Sequence, residues 1–166
     1  MLTVICPGSF DPVTEGHLDI IRRSCNMFDY VIVAVMSNFS KTPAFSKEER
    51  IDFLKRATSD LKNLEILTFD GMLVDLAKAR NACAIIKGLR AVSDFEYEFQ
   101  MALTNKKLYK DIETIFLTTN SKYMYLSSSI VKQVASLGGD ISEFVPKAII
   151  NDIKSRFYIG GIKNDC

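Results

Sequence analysis

An α/β fold is predicted for this chain, as one domain on a five-stranded parallel sheet with helices on both faces. Two observations predict it. Five short apolar, β-rich runs alternate along the sequence with segments of helical periodicity. Such alternation argues for a parallel sheet covered on both sides. The chain has 166 residues, enough for one domain with a sizeable core.

The elements follow in order. Residues 2–6 are a buried strand that ends at Pro7. A Gly/Pro-bearing loop leads to a helix over 17–27, with apolar positions at Leu18, Ile21 and Cys25 and Phe28 just beyond. Residues 30–36 form the second strand. Ser46 and Glu49 make a capping box, so a helix runs from there to about Thr58. Residues 64–69 are the third strand, 72–80 a short helix stopped at Asn81, and 84–87 a short buried strand ending at Gly88. A longer helix over 94–109 has apolar positions at Phe95, Phe99, Ala102 and Leu103. Residues 114–118 are the fifth strand. A helix over 127–137 ends at Gly138-Gly139. The last helix, 146–157, places Pro146 in its permitted first turn. The whole reads as a Rossmann-like domain over 1–157, and 158–166, with a Gly pair and no periodicity, reads as a flexible tail.

Composition excludes several classes. Net charge is +1, so the overall balance does not point to nucleic acid or an anionic membrane. No apolar run approaches the roughly 20 residues that span a bilayer. The first residues lack the pattern of a signal peptide. Cys6, Cys25, Cys83 and Cys166 form no Cys-x-x-Cys pair, and with His17 the single histidine a zinc site is not expected. Free thiols in the cytoplasm are the simplest reading.

In parallel sheets ligands bind beyond the carboxyl ends of the strands. The candidate groups fall there. Gly8, Ser9 and His17 follow the first strand. The segment Thr14-x-Gly16-His17 opens a helix, where unpaired N–H groups favour anions. His17 in that first turn can offer a ring N–H to a phosphate, although a histidine could also simply cap its own helix. Lys41 follows the second strand. Lys87, Gly88 and Arg90 follow the fourth and fit phosphate clamping. Ser127, Ser128 and Ser129 open a helix after the fifth, and three serines exceed what one cap needs. No convincing carboxylate pair offers acid–base work. Glu96 and Glu98 lie on different faces of their helix, and Asp11 before Pro12 shapes the turn. A phosphate attacking another phosphate needs alignment and neutralisation more than a base. The P-loop pattern is missing, so a P-loop ATPase is not supported.

Together these segments resemble the bacterial phosphopantetheine adenylyltransferases of the nucleotidyltransferase superfamily. The resemblance covers nearly all of 1–157. It is carried by Pro7-Gly8-Ser9-Phe10-Asp11-Pro12, Thr14-x-Gly16-His17, Phe45 with Glu48-Glu49-Arg50, and Gly88-Leu89-Arg90-Ala91 with Asp94-Phe95-Glu96-Tyr97-Glu98. It closes with Ser127-Ser128-Ser129-x-Val131-Lys132. The resemblance implies reversible transfer of AMP from ATP to 4′-phosphopantetheine, giving 3′-dephospho-CoA and pyrophosphate in coenzyme A biosynthesis. It implies magnesium bound mainly through the ATP phosphates, a homohexamer, and coenzyme A as feedback inhibitor. The catalytic residues so implied are His17, Lys41 and Arg90, with His17 stabilising the transition state of a direct in-line displacement. Ser9, Lys41, Leu73 and Lys87 would hold the acceptor. ATP would meet Ser9, Phe10, His17, Gly88, Leu89, Arg90 and Glu98, with Tyr123, Met124, Tyr125, Leu126, Ser127, Ser128 and Ser129.

Three positions depart from the family pattern. Ser9 stands where threonine is frequent, and the hydroxyl survives. Lys87 stands where many members have arginine, keeping the charge but losing the bidentate fork. Gln133 replaces a glutamate of some members near the pantetheine arm. Other readings are transfer to nicotinate mononucleotide or glycerol phosphate, a class I aminoacyl-tRNA synthetase fragment, and a non-catalytic nucleotide-binding module. The Asp94–Glu98 stretch argues against the first, and the short neutral chain against the second. The joint presence of His17 and Lys41 argues against the third.

Overall fold

A computed structural model of the chain describes residues 1–37 and 42–157, with Val92 and Ser93 described by backbone alone. The strands are β1 (Thr3–Gly8), β2 (Tyr30–Met36), β3 (Leu64–Phe69), β4 (Ala84–Leu89) and β5 (Glu113–Thr118). They form one parallel sheet in the order β3-β2-β1-β4-β5. The helices are α1 (Glu15–Met27), α2 (Lys47–Ala57), α3 (Leu73–Ala79), α4 (Val92–Leu108), α5 (Ser128–Ser136) and α6 (Ile150–Phe157). The predicted class, strand number and sheet direction are borne out.

The strands read as continuous apolar runs because both sheet faces are covered. Side chains alternate between two cores. Val4, Cys6, Val33 and Ile86 face the larger core, built with Leu18 and Ile21 of α1, Phe53 and Leu54 of α2, Val131 of α5 and Ile153 of α6. Ile5, Ile32, Ala34 and Ile85 face the smaller one, closed by Leu76 and Ala77 of α3 with Ala82 and Ile112. The expected apolar stripe of α4 stays largely outside both cores. Phe95, Phe99 and Leu103 are exposed, and among its described side chains only Asn105 is buried.

The sheet opens where the chain direction across it reverses. β1 pairs with β2 through six residues, as far as Gly8 opposite Val35. It pairs with β4 only at Val4 and Ile5. Pro7 has no N–H to donate to a ladder. Beyond Ile5 the two central strands therefore part, at the switch point where open α/β sheets bind ligands.

Several boundaries differ from expectation, each for a local reason. α1 begins at Glu15, two residues early, because Thr14 is its N-cap. β4 runs on through Leu89, with Gly88 paired to Leu117, so Lys87 is a strand residue as expected and Gly88 and Leu89 continue the strand rather than end it. Gly88 is needed there, since a Cβ would stand 2.8 Å from Ile20 of α1. Pro146 precedes a 3-10 turn, Lys147–Ile149, and α6 starts only at Ile150. A second 3-10 turn, Ser121–Tyr123, was not expected. The Ser46–Glu49 capping box forms as predicted, and Asn81 stops α3 with a positive φ of 50°. The segment 158–166 lies outside the described residues.

Candidate active site

A cleft of about 1590 Å³ lies over the parted ends of β1 and β4. The β1–α1 loop supplies Ser9, Phe10 and His17. The β4 end supplies Lys87, Gly88 and Arg90, and α5 supplies Ser127, Ser128 and Ser129. Leu73 from α3, Glu98 from α4 and Leu126 complete the predicted residues that line it. The convergence argued from topology is what the fold produces.

The β1–α1 loop is fixed by packing. Phe10 has φ 48° and is buried. Its ring lies so close to Gly8 that a Cβ there would stand 2.9 Å away. Gly8 thus makes room for Phe10, not only for a ligand. The His17 and Phe10 rings then meet in an edge-to-face arrangement, with centroids 5.2 Å apart.

His17 does two things that looked like alternatives. It caps its own helix: the Thr14 backbone N–H donates to Nδ1 at 3.0 Å, and the His17 N–H donates to Thr14 Oγ1 at 3.3 Å. A histidine thus fills the third position of a capping box, usually Glu or Gln. Because Nδ1 accepts from a backbone N–H, the proton of the neutral ring sits on Nε2. Burial, and secondarily the Arg90 guanidinium, push the imidazolium down to about 4. At neutral pH His17 is therefore an uncharged Nε2–H donor. Among the described residues Nε2 has no partner, while His17 lines the cleft.

That shift has a consequence for stability. Between about pH 4 and 6.5 the unfolded chain protonates this histidine and the folded one does not. Stability then falls as pH drops through that window, and the loss is complete below about 4. The contribution between about pH 7 and 5 is on the order of 1–2 kcal/mol, reduced from the full linkage value because the ring is only half-buried. His17→Gln keeps a capping box and should flatten this part of the slope. Urea unfolding of both proteins at the two pH values checks it, and identical slopes would refute it.

Asp11 ties three parts of the site together. Its buried carboxylate accepts the Ala44 N–H (2.9 and 3.1 Å) and the Phe45 N–H (2.9 Å), and pairs with Lys132 of α5 at 3.1 Å. Ser128 adds a second tie by donating to the Pro12 carbonyl at 2.7 Å. Ser127 is the true N-cap of α5, accepting the Ile130 N–H at 3.2 Å. So one serine caps, one braces the β1–α1 loop, and Ser129 lines the cleft.

The cations at the β4 end are already aligned. Lys87 pairs with Glu98 at 3.1 Å. Arg90 is held by Asp94 at 3.1 Å and donates to the Leu126 carbonyl at 2.8 Å. Cys6 also borders the cleft, but burial pushes its thiol up to about 12, so it is no thiolate nucleophile. Among the described residues no three His, Cys, Asp or Glu side chains cluster as a metal cage.

Comparison with known proteins decides the family. The Cytidylyltransferase-like family model matches residues 5–134. The phosphopantetheine adenylyltransferase of Caldanaerobacter subterraneus subsp. tengcongensis is 59% identical, over 95% of this chain and 98% of that protein. That of Clostridium botulinum (strain Eklund 17B / Type B) is 55% identical over 94% and 98%. The chain belongs to the phosphopantetheine adenylyltransferase family. A crystal structure described as a candidate nicotinate-nucleotide adenylyltransferase of Vibrio parahaemolyticus shares the fold, with TM-score 0.66 and 16% identity over 94% of this chain and 96% of that one.

Against this phosphopantetheine adenylyltransferase framework, some predicted residues stand apart. Leu89, Tyr123, Met124 and Tyr125 do not line the cleft, and Met124 and Tyr125 are exposed. Tyr125 instead packs its ring edge against Phe144, with centroids 5.9 Å apart. Lys41 lies outside the described residues. Gln133 is not on the cleft wall, whereas Lys132 beside it is. The residues missed as site groups are Asp11, Lys132 and Arg50. Arg50 carried a usable signal: it shares the inward face of α2 with Phe53 and Leu54, an unusual place for a charge.

Proposed function

We propose that this chain transfers the adenylyl group of ATP to the phosphate of 4′-phosphopantetheine, reversibly, giving 3′-dephospho-CoA and pyrophosphate. The high identity to phosphopantetheine adenylyltransferases along almost the whole chain carries this reading. An acceptor phosphate oxygen attacks the α-phosphorus of ATP. The bond from that phosphorus to the α–β bridging oxygen breaks, and pyrophosphate leaves. The nucleophile is already ionised, so no general base is needed, and no covalent enzyme intermediate forms.

The residues have separable tasks. His17 Nε2–H donates to the α-phosphate as charge develops there. Ser9, Lys41 and Arg90 hold the reacting phosphates, and Leu73 and Lys87 hold the acceptor. Lys87 exchanges part of its contact with Glu98 for the acceptor phosphate. Gly88, Glu98 and the segment 126–129, which line the cleft, hold the nucleotide, and the first turn of α5 offers its unpaired N–H groups. Magnesium supplies charge neutralisation along the triphosphate. The cleft carboxylates Asp11, Asp94 and Glu98 are each engaged by a cation, which suits a metal carried in by ATP better than one held by a protein cage.

We also propose a homohexamer. The exposed Phe95, Phe99 and Leu103 on α4 favour a self-association surface. Coenzyme A, which is the product with one phosphate more, would compete for the same cleft. No described helix is long and apolar enough to cross a membrane. The location we propose for the reaction, the cytoplasm, rests on the coenzyme A reading and not on that absence.

The test is pyrophosphate release from ATP and magnesium, with and without 4′-phosphopantetheine. Release is expected only with the acceptor and should vanish on chelation of the metal. No acceptor-dependent release from folded protein would overturn the reading. Release with nicotinate mononucleotide or glycerol phosphate instead would assign the acceptor to another member of the superfamily.

A further inference from the structure

Among the described residues five cationic side chains line the cleft: Lys47, Arg50, Lys87, Arg90 and Lys132. Four are matched by carboxylates. Lys47 pairs with Asp70, Lys87 with Glu98, Arg90 with Asp94, and Lys132 with Asp11. Arg50 is the exception. It is only 3% exposed, the deepest of the five, yet no carboxylate lies within 4.0 Å of it among the described residues.

Its hydrogen bonds go to carbonyls. Nε donates to Ser46 O at 3.2 Å, and one terminal nitrogen donates to Ser9 O at 2.8 Å. These orient the guanidinium but do not neutralise it. The second terminal nitrogen has no partner among the described residues, and none of the described buried side-chain nitrogens is left unsatisfied. That nitrogen therefore opens on the cleft. A buried charge is costly unless paired. Arginine keeps its charge in proteins, so it cannot escape the cost by losing a proton. A cation in this situation, beside Ser9 and on the cleft wall, is short of one anion.

We propose that Arg50 is a further anion-binding residue of this site, and that its counter-ion is a phosphate group of a substrate. The inference rests on the adenylyl-transfer reading and deepens it. Two sources share that chemistry: the phosphates of ATP that leave as pyrophosphate, and the phosphate of the acceptor. The planar fork suits a tetrahedral oxyanion, because two N–H groups can reach one phosphate while the others stay on the Ser9 and Ser46 carbonyls.

Arg50→Gln removes the charge and keeps a donor for the Ser9 carbonyl. Arg50→Lys keeps the charge and loses the fork. Binding is read by titrating inorganic pyrophosphate and, separately, 4′-phosphopantetheine into the intact protein without turnover. For one of the two ligands Arg50→Gln should weaken affinity at least about tenfold, the lower range for a lost charged hydrogen bond. Arg50→Lys should weaken the same ligand less, by about threefold, as expected at a fork site. Whichever ligand responds identifies the phosphate. Unchanged affinity for both ligands in either folded variant would overturn the proposal. So would equal losses in both variants, which would reduce Arg50 to a brace for two carbonyls. If Arg50→Gln does not fold, Arg50→Lys still decides, because unchanged affinity there overturns the assignment. Pyrophosphate binding needs no acceptor, so its result separates a failure at Arg50 from a wrong acceptor.

Discussion

His17→Ala is expected to lower turnover at least about 100-fold, the lower range for one lost preorganised donor, or roughly 2.7 kcal/mol of transition-state stabilisation. The geometry explains why one side chain carries so much. The ring is held by Thr14 at Nδ1 and by Phe10 before substrate arrives. Thr14 fixes Nδ1 from two atoms, both 3.0 Å away, and Phe10 packs against the ring face to edge. A donor fixed in this way does not reorganise as charge appears on the α-phosphate, and a solvent donor would. The loss should fall on kcat more than on KM, because the contact strengthens in the transition state. Neutrality adds a second expectation. With its imidazolium pushed down to about 4, His17 contributes no step to the rate profile between about pH 6 and 8. Folding must be separated from chemistry, since alanine also removes the cap. His17→Gln restores a capping box and serves as the folding control. Turnover within fivefold of wild type in folded His17→Ala would sink the role.

Sheet and helices were legible because they rest on strong local signals. The run Val31–Val35 can only be a strand buried on both faces, and Ser46 with Glu49 announces a helix start. The position of the cleft at the carboxyl ends of the strands followed from the parallel direction of the sheet, whereas the strand order and the parting of β1 from β4 did not show in the sequence. What stayed hidden depended on partners distant in sequence. Asp11 looked like a turn former because its partners, Ala44, Phe45 and Lys132, lie 33, 34 and 121 residues away. The cap by His17 was legible as an alternative to a phosphate contact, and what stayed hidden was that both fit at once, with Nδ1 on Thr14 and Nε2 without a partner among the described residues. The stripe on α4 was legible as apolar but not as exposed, since periodicity reports which residues share a face and not what covers it. The segment 123–125 was assigned to nucleotide by resemblance, and no residue pattern within it argued for cleft lining.

Asp11→Ala should be the most destabilising single change in the site, lowering stability by about 3–5 kcal/mol, as when a buried charge loses its partner. For a domain of this size that is a fall in Tm of about 10 °C. Three costs combine. The Ala44 and Phe45 N–H groups lose their acceptor, the Lys132 ammonium loses its counter-ion, and the tie among the β1–α1 loop, the chain before α2, and α5 is cut. Asp11→Asn separates them. It retains one acceptor oxygen for the backbone but leaves Lys132 unpaired, so its loss should be intermediate. Pairing Asp11→Asn with Lys132→Met removes the stranded charge and should recover part of that loss, because a pair deleted together costs less than one broken. Thermal unfolding of the four proteins tests the scheme, and an Asp11→Ala midpoint equal to wild type would refute it. Turnover in the double variant then distinguishes two uses of the same contact. If stability returns without activity, Lys132 acts on the substrate phosphates as well as on Asp11. If both return together, the pair serves only to hold the Ser9 loop and the Ser127–Ser129 turn at the right separation.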